Sequence, residues 1–170
     1  MNIYYGMIRH EGWYFYIGAT NKGLCFVGSQ DKGFTELENW YKKNRPNTKL
    51  IKNEPFVQSY GRQLVEYLNG SRQKMDFPLD LKGTDFQTTV WTELGTIPFG
   101  ETKSYTDIAI RIGKPKSVRA VGRAVGLNPL LIVIPCHRVL AKNGQLTGYR
   151  GGLMMKKKIA RIGKMKKSLR

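Results

Sequence analysis

Two residues able to do covalent chemistry stand side by side in LLIVIPCHRVL, Leu130 to Leu140. Cys136 is one of two cysteines and His137 one of two histidines in the chain. A thiol attacks as its thiolate, and at an ordinary pKa of about 8.5 only a few per cent is ionised at neutral pH. His137 is the neighbouring base that could take the proton, and Arg138 supplies a charge favouring the anion. Adjacent side chains diverge by about 100° in a helix and point to opposite faces in a strand. The pair therefore needs a turn or a bridging water to exchange a proton. The competing reading is an inert cysteine at the end of a buried strand. Pro135 removes a donor and biases Ile134 to extended backbone, so the aliphatic run ends there.

Composition narrows the chemistry. Cys25 and Cys136 are too few for a disulfide framework or a four-cysteine zinc site, which predicts a reducing, cytoplasmic setting, and two histidines far apart argue against a structural metal. No run of about eighteen apolar residues is present, and the first residues lack a secretory pattern, so neither a membrane span nor secretion is predicted. The chain has 29 Lys and Arg against 12 Asp and Glu, a net charge of +17. From residue 84 onward there are 17 basic and 4 acidic side chains, and none of the 63 residues after Asp107 is acidic. Such a one-signed stretch calls for a polyanion: nucleic acid first, an anionic membrane surface second.

The elements that must hold these residues fall into two groups. Residues 1–81 read as an α/β domain. Two β-rich runs, Trp13–Ala19 and Leu24–Ser29, are joined at Asn21-Lys22-Gly23, and two helices follow, over FTELENWYKKN and EPFVQSYGRQLVEYLNG. Residues 84–170 read as mostly helical. Thr84 or Asp85 caps a helix carrying Phe86, Val90, Trp91 and Leu94. Ser104 caps another with Tyr105, Ile108 and Ile112 on one face, stopped at Gly113. Pro115 then opens a second helix that buries Val118, Val121 and Val125. Its opposite face carries Lys116, Arg119, Ala120 and Arg123, with Gly122 and Ala124 small enough for close approach to a groove. This is a helix-turn-helix pattern with a basic outer face.

FQTTVW, IPFGETKSYTDIA, VRAVGRAVGLNP, IPCHRV and GQLTGYRGGL, in this order, resemble the O6-alkylguanine-DNA alkyltransferase family across most of residues 84–170. The resemblance implies a ribonuclease-H-like N-terminal domain and a winged-helix-like C-terminal domain. It also implies irreversible, single-turnover transfer of an alkyl group from guanine O6 in duplex DNA to Cys136. The target base would be flipped out through the minor groove. His137 would act with Cys136. Arg119 would fill the gap left by the flipped nucleotide, Tyr105 would push its phosphate, and Ala120 and Arg123 would face the DNA. Tyr149 would line the base pocket, the Val139 backbone would read guanine's amino group, and Asn128 would brace the hinge. The implied partner is double-stranded DNA containing O6-alkylguanine, bound by a monomer with no obligate protein partner, and the transfer would need no metal and no cofactor.

One position departs from the family pattern. Ten residues after the leucine of GGL the family carries a helix glutamate that orients the histidine; here that position is Gly163. Met155, Ile159, Ile162 and Met165 still form a helical stripe, in which Gly163 costs about 1 kcal/mol relative to alanine. Loss of the glutamate predicts a slower or more pH-dependent reaction. It also leaves open a non-enzymatic protein that recognises alkylated DNA. A Cys-His hydrolase is the third reading; it needs an orienting residue and an oxyanion hole that no motif supplies.

Overall fold

The computed structural model describes residues 1–144 and 148–163. The chain divides into two compact units, one ending at Lys82 and the other starting at Gly83.

In the first unit four strands form one sheet in the order β3-β2-β1-β4. These are β1 (Asn2–His10), β2 (Trp13–Thr20), β3 (Gly23–Val27) and β4 (Lys49–Lys52). β1–β2 and β2–β3 are antiparallel, and β4 lies parallel to β1. Trp13, Phe15, Ile17 and Ala19 alternate along one face of β2 and are all buried. Helices α1 (Gly33–Asn44) and α2 (Glu54–Leu68) pack on the sheet. Asn53 caps α2 by accepting from the Phe56 N–H. Gly23, at φ +150°, lies hard against another backbone segment: a Cβ there would meet the Pro78 oxygen at 2.4 Å. That approach lets Leu24 bond Pro78 and Asp80, so residues 78–80 run along β3. Asp80 is then held by the Thr20 hydroxyl at 2.6 Å and the buried Arg45 guanidinium at 3.2 Å.

The sequence reading placed β2, β3, α1 and α2 but not β1 or β4. β1 buries only Ile3 and Gly6, so no period-2 pattern marks it. β4 is a four-residue edge strand flanked by lysines, with no core-facing stripe.

The second unit is mostly helical. Helix α3 (Asp85–Leu94) starts in a capping box, in which Thr84 accepts from Gln87 N–H and Gln87 returns a bond to Thr84 N–H. Strand β5 (Lys103–Ser104) leads directly into α4 (Tyr105–Arg111), whose capping box pairs Ser104 with Asp107. Gly113, at φ +75°, ends the helix by allowing Lys114 N–H to reach the Ala109 carbonyl at 2.9 Å. Helix α5 (Val118–Gly126) follows, and α3, α4 and α5 pack together. The Trp91 indole N–H donates to the Ala124 carbonyl at 2.9 Å, and Arg111 of α4 pairs with Glu93 of α3.

Two expectations are corrected here. Pro115 does not open α5. Ser117 N–H bonds the Lys114 carbonyl at 2.9 Å, closing a turn around Pro115 before the helix begins at Val118. Ala124 does not face outward either: it is 3% exposed and lies beneath Trp91, on the same side as Val121 and Val125.

Candidate active site

The aliphatic run before Cys136 is a buried turn, not a strand. Ile134 N–H bonds back to Leu130 at 3.0 Å, and Ile132 holds φ +74°. A β-branched residue in the left-handed region costs about 1–3 kcal/mol and persists only where its surroundings over-determine it. Here they do: Leu130, Leu131, Ile132 and Ile134 are all buried. The turn delivers Cys136 into a short 3-10 helix, Cys136–Arg138, which continues into β6 (Val139–Leu140), parallel to β5. Successive residues of a 3-10 helix are about 120° apart, so Cys136 and His137 leave it in different directions.

Asn128 organises the thiol. It is completely buried, and its amide NH2 reaches Cys136 Sγ at 3.1 Å, the Ile134 carbonyl at 3.0 Å and the Leu130 carbonyl at 3.3 Å. Its oxygen accepts from Leu130 N–H at 2.9 Å. One side chain thus fixes both ends of the turn and places a donor on the sulfur, a closer role than the hinge brace expected of it. Arg150 secures the same corner from outside, donating to the Asn128 carbonyl at 3.0 Å and the Pro129 carbonyl at 3.2 Å.

Burial pushes the Cys136 thiol up, while the Asn128 bond and the charges of Lys156 and Arg150 pull it down. Arg138 is itself buried, donating to the Ile97 carbonyl at 2.6 Å with its guanidinium 5.8 Å from the Phe99 ring centre. His137 is fully buried and held well below its usual pKa, first by desolvation and then by the Arg138 and Lys156 charges. It is a neutral imidazole at pH 7. Cys25, also buried, has a thiol pushed up to about 12 by burial and donates to the Gly18 carbonyl, so it is a core hydrophobe rather than a second nucleophile.

Helix α6 (Leu153–Ile162) covers this corner. Two glycines precede it. A Cβ on Gly151 would meet Met155 Sδ at 2.4 Å and the Tyr149 ring at 2.8 Å, and Gly152 at φ +87° turns the chain into the helix. α6 buries Met155, Lys156, Ile159 and Ala160. Gly163 is its C-cap, not an interior residue, so the glycine penalty expected within the helix does not apply. Lys156, unnoticed in a run of three lysines, is completely buried and donates to the Val139 carbonyl at 2.7 Å. Its spacing from Ile159, Ala160 and Gly163 put it on the inner face, so helical period alone could have found it.

The remaining predicted residues lie on or near the helix-turn-helix. Tyr105 is the first residue of α4, half-buried, with its ring 3.8 Å from where a Gly122 Cβ would stand. Arg119 and Arg123 are exposed and Ala120 half-buried on α5. Val139 is buried in β6, and Tyr149 is half-buried before Gly151. Gln145–Thr147 of the GQLTGYRGGL motif, and Met165 with the rest of the basic tail, lie outside the described residues. A groove of about 630 Å³ between β1 and α2, lined by Gly6, Glu54, Gly61 and Arg62, holds none of the predicted residues.

Residues 3–81 match the family described as 6-O-methylguanine DNA methyltransferase, ribonuclease-like domain, and residues 85–164 match its DNA binding domain. The chain belongs to the O6-methylguanine-DNA methyltransferase family. An inducible methylated-DNA–protein-cysteine methyltransferase of Bacillus subtilis is 49% identical over 154 residues, covering 91% of this chain and 86% of the relative. The crystal structure of the Mycobacterium tuberculosis O6-methylguanine methyltransferase superposes with a TM-score of 0.82 at 34% identity, covering 95% of this chain and 93% of that one. A structure of the mycobacterial protein in complex with DNA gives a TM-score of 0.79 at 34% identity, covering 97% and 94%. Helix α6 of this chain has no carboxylate side chain and a glycine at its C-cap.

Proposed function

We propose that this chain is a DNA-repair methyltransferase that accepts the alkyl group of O6-alkylguanine on its own Cys136, once per molecule. The observation that carries the reading is the Asn128 amide set 3.1 Å from a buried sulfur, behind a helix-turn-helix with two exposed arginines. Residues 84–170 are the DNA-binding and alkyl-acceptor domain in this reading. The Cys136 thiolate attacks the alkyl carbon; the C–S bond forms as the C–O6 bond breaks, and the electron pair leaves with guanine. Overall the thiol loses one proton and guanine gains one. No hydrolysis reverses a thioether under these conditions, hence the single turnover.

The target oxygen sits inside a stacked duplex, so the nucleotide must be extruded at a cost of a few kcal/mol. Arg119 on the exposed face of α5 takes the vacated space, with Ala120 and Arg123 against the minor groove and Tyr105 at the rotated phosphate. Tyr149 packs on the base. The Val139 carbonyl has two lone pairs; Lys156 takes one, leaving the other for guanine's amino group. His137, neutral and buried, orients the thiol's surroundings as an uncharged donor or acceptor. Duplex DNA carrying the lesion is the partner, met by a monomer in the cytoplasm. Among the described residues no helix is long and apolar enough to cross a membrane.

Intact mass after incubation with a duplex containing one O6-methylguanine tests this directly. The expected result is a single gain of about one methylene unit that is absent in Cys136→Ser. Binding of that duplex with no mass change would instead favour a lesion-recognition protein, the alternative that Gly163 raises.

A further inference from the structure

Strand β1 outruns its neighbour β4. β4 pairs only with Asn2–Tyr5, and the last bond between them runs from Asn53 N–H to the Tyr5 carbonyl at 2.9 Å. The chain then turns into α2, whose second residue, Pro55, has no N–H to offer. On its other side β1 stays paired with β2 as far as His10 and Trp13. Two bonds of β2 fix which way the backbone groups of β1 point. The Tyr14 and Tyr16 carbonyls accept from Asp31 and Gly28, on the side of β2 away from β1. Arg9–Tyr14 and Met7–Tyr16 are therefore the non-hydrogen-bonded pairs of the antiparallel ladder. Met7 and Arg9 turn their N–H and C=O groups outward, past the end of β4, where no described residue bonds them.

Helix α2 crosses beside this open edge. It packs on the face of β1 that carries Gly6 and Ile8. A Cβ on Gly61 would meet Ile8 Cδ1 at 2.5 Å, and a Cβ on Gly6 would meet Val57 at 2.8 Å. The groove of about 630 Å³ between strand and helix is lined by Met7, Arg9, Gln58, Arg62 and Val65 among others. An unpaired strand edge with a helix wall is the geometry that takes up an extended peptide as an added strand. Charge selects the occupant. Arg9 and Arg62 are exposed, and among the described residues neither pairs with a carboxylate. Arg9 lies over the Tyr14 ring at 5.3 Å, on the face opposite α2, so the two cations flank the groove from its two sides. Glu54, the acid at the start of α2, already has Lys52 at 4.0 Å. A second copy of this chain fits poorly, since β1 contains no Asp or Glu and two chains of net charge +17 repel.

We propose that the groove between β1 and α2 docks an extended acidic segment of a partner protein. The segment adds as a strand on the Met7 and Arg9 backbone and sets its carboxylates against Arg9 and Arg62. Main-chain hydrogen bonds supply affinity, and side chains alternating to the two faces carry the acids to one arginine or the other. All of these residues belong to the first unit, so the inference stands apart from the chemistry of Cys136.

The probe is a blocked hexapeptide, Glu-Val-Glu-Glu-Val-Glu, titrated into the full chain labelled with 15N. The expected result is a saturable shift of the Met7 and Arg9 amides, with their hydrogen exchange slowed at least about tenfold at saturation. The same peptide N-methylated at every internal amide keeps its charge and side chains but cannot bond the edge. It should bind at least about tenfold more weakly, the loss expected for two or more main-chain hydrogen bonds. A version with lysine in place of glutamate should not bind. Arg9→Glu combined with Arg62→Glu should weaken the acidic peptide by at least about tenfold, because like charges then face each other. Equal binding of the N-methylated peptide marks general attraction to a basic protein and overturns the proposal. So does equal binding of the lysine peptide, or no shift of Met7 and Arg9 at about 1 mM peptide. Protection of the same two amides that grows with protein concentration, without peptide, assigns the groove to a second copy and overturns the acidic partner. If the double variant does not fold, the three peptides on the unaltered chain decide.

Discussion

Asn128 shows how much one buried amide can hold. It satisfies backbone at Leu130 and Ile134 and donates to the sulfur. Asn128→Ala leaves buried polar groups without partners, each at about 1–3 kcal/mol, so we expect a loss of about 3 kcal/mol in denaturant unfolding. Methyl transfer should slow as well, with the rate profile displaced to higher pH because the thiolate loses a donor. Lys156 makes a separate prediction. Its folded pKa is about 8 against a reference of 10.5. Between these values the unfolded chain binds more protons than the folded one, so this lysine makes stability rise with pH across that window, by at most about 3 kcal/mol. The two buried thiols act oppositely above their reference of 9.0. Chemical unfolding from pH 7 to 10.5 should therefore show a rising component in wild type that is missing from Lys156→Met.

At the scale of elements, the capping boxes of α3 and α4 decide where the helices begin, and so where the residues proposed to face DNA stand. Ser104 fixes the start of α4 one residue before Tyr105. Ser104→Ala removes a cap bond worth about 1 kcal/mol. We expect a fall in thermal stability of that size together with reduced transfer, because Tyr105 loses its fixed position. Arg119→Ala on the exposed side of α5 should behave differently: unfolding unchanged, transfer from duplex DNA reduced at least about tenfold, and transfer from a free alkylated base little affected. Equal losses on both substrates would place Arg119 outside the flipping step. Below these helices, the Ile132 turn stores strain that only the packed Leu130, Leu131 and Ile134 can sustain.

Across the whole molecule the net charge of +17 sets affinity for duplex DNA without reading its sequence. Binding should weaken steeply as salt rises, with a logarithmic slope of about −0.9 for each phosphate neutralised. Arg123→Ala should reduce that slope by about one and weaken binding similarly on lesion-bearing and undamaged duplexes. A change confined to the damaged duplex would assign Arg123 to lesion recognition instead. The first unit, with its sheet and the Arg45–Asp80–Thr20 cluster, contributes little of this charge imbalance and none of the reactive groups.

The sequence by itself singled out Cys136 as the candidate nucleophile and laid out the two-part organisation and the helix-turn-helix. These rest on local signals: Ser104 and Thr84 at caps, Gly113 at a stop, apolar residues at period 3.6, and linked motifs in order. It also located the departure at Gly163. Tertiary structure alone decided what surrounds the sulfur. β1 and β4 escaped because a central strand and a short edge strand owe their state to partners distant in sequence. Arg138 turned to Ile97, and Ala124 turned inward beneath Trp91, because packing rather than proximity in the chain directs a side chain. The Asn128–Cys136 bond spans eight residues and the Lys156–Val139 bond seventeen. Contacts of that separation form only when the Leu130–Ile134 turn and α6 close on one another. The thiol's electrostatics therefore belong to the folded state.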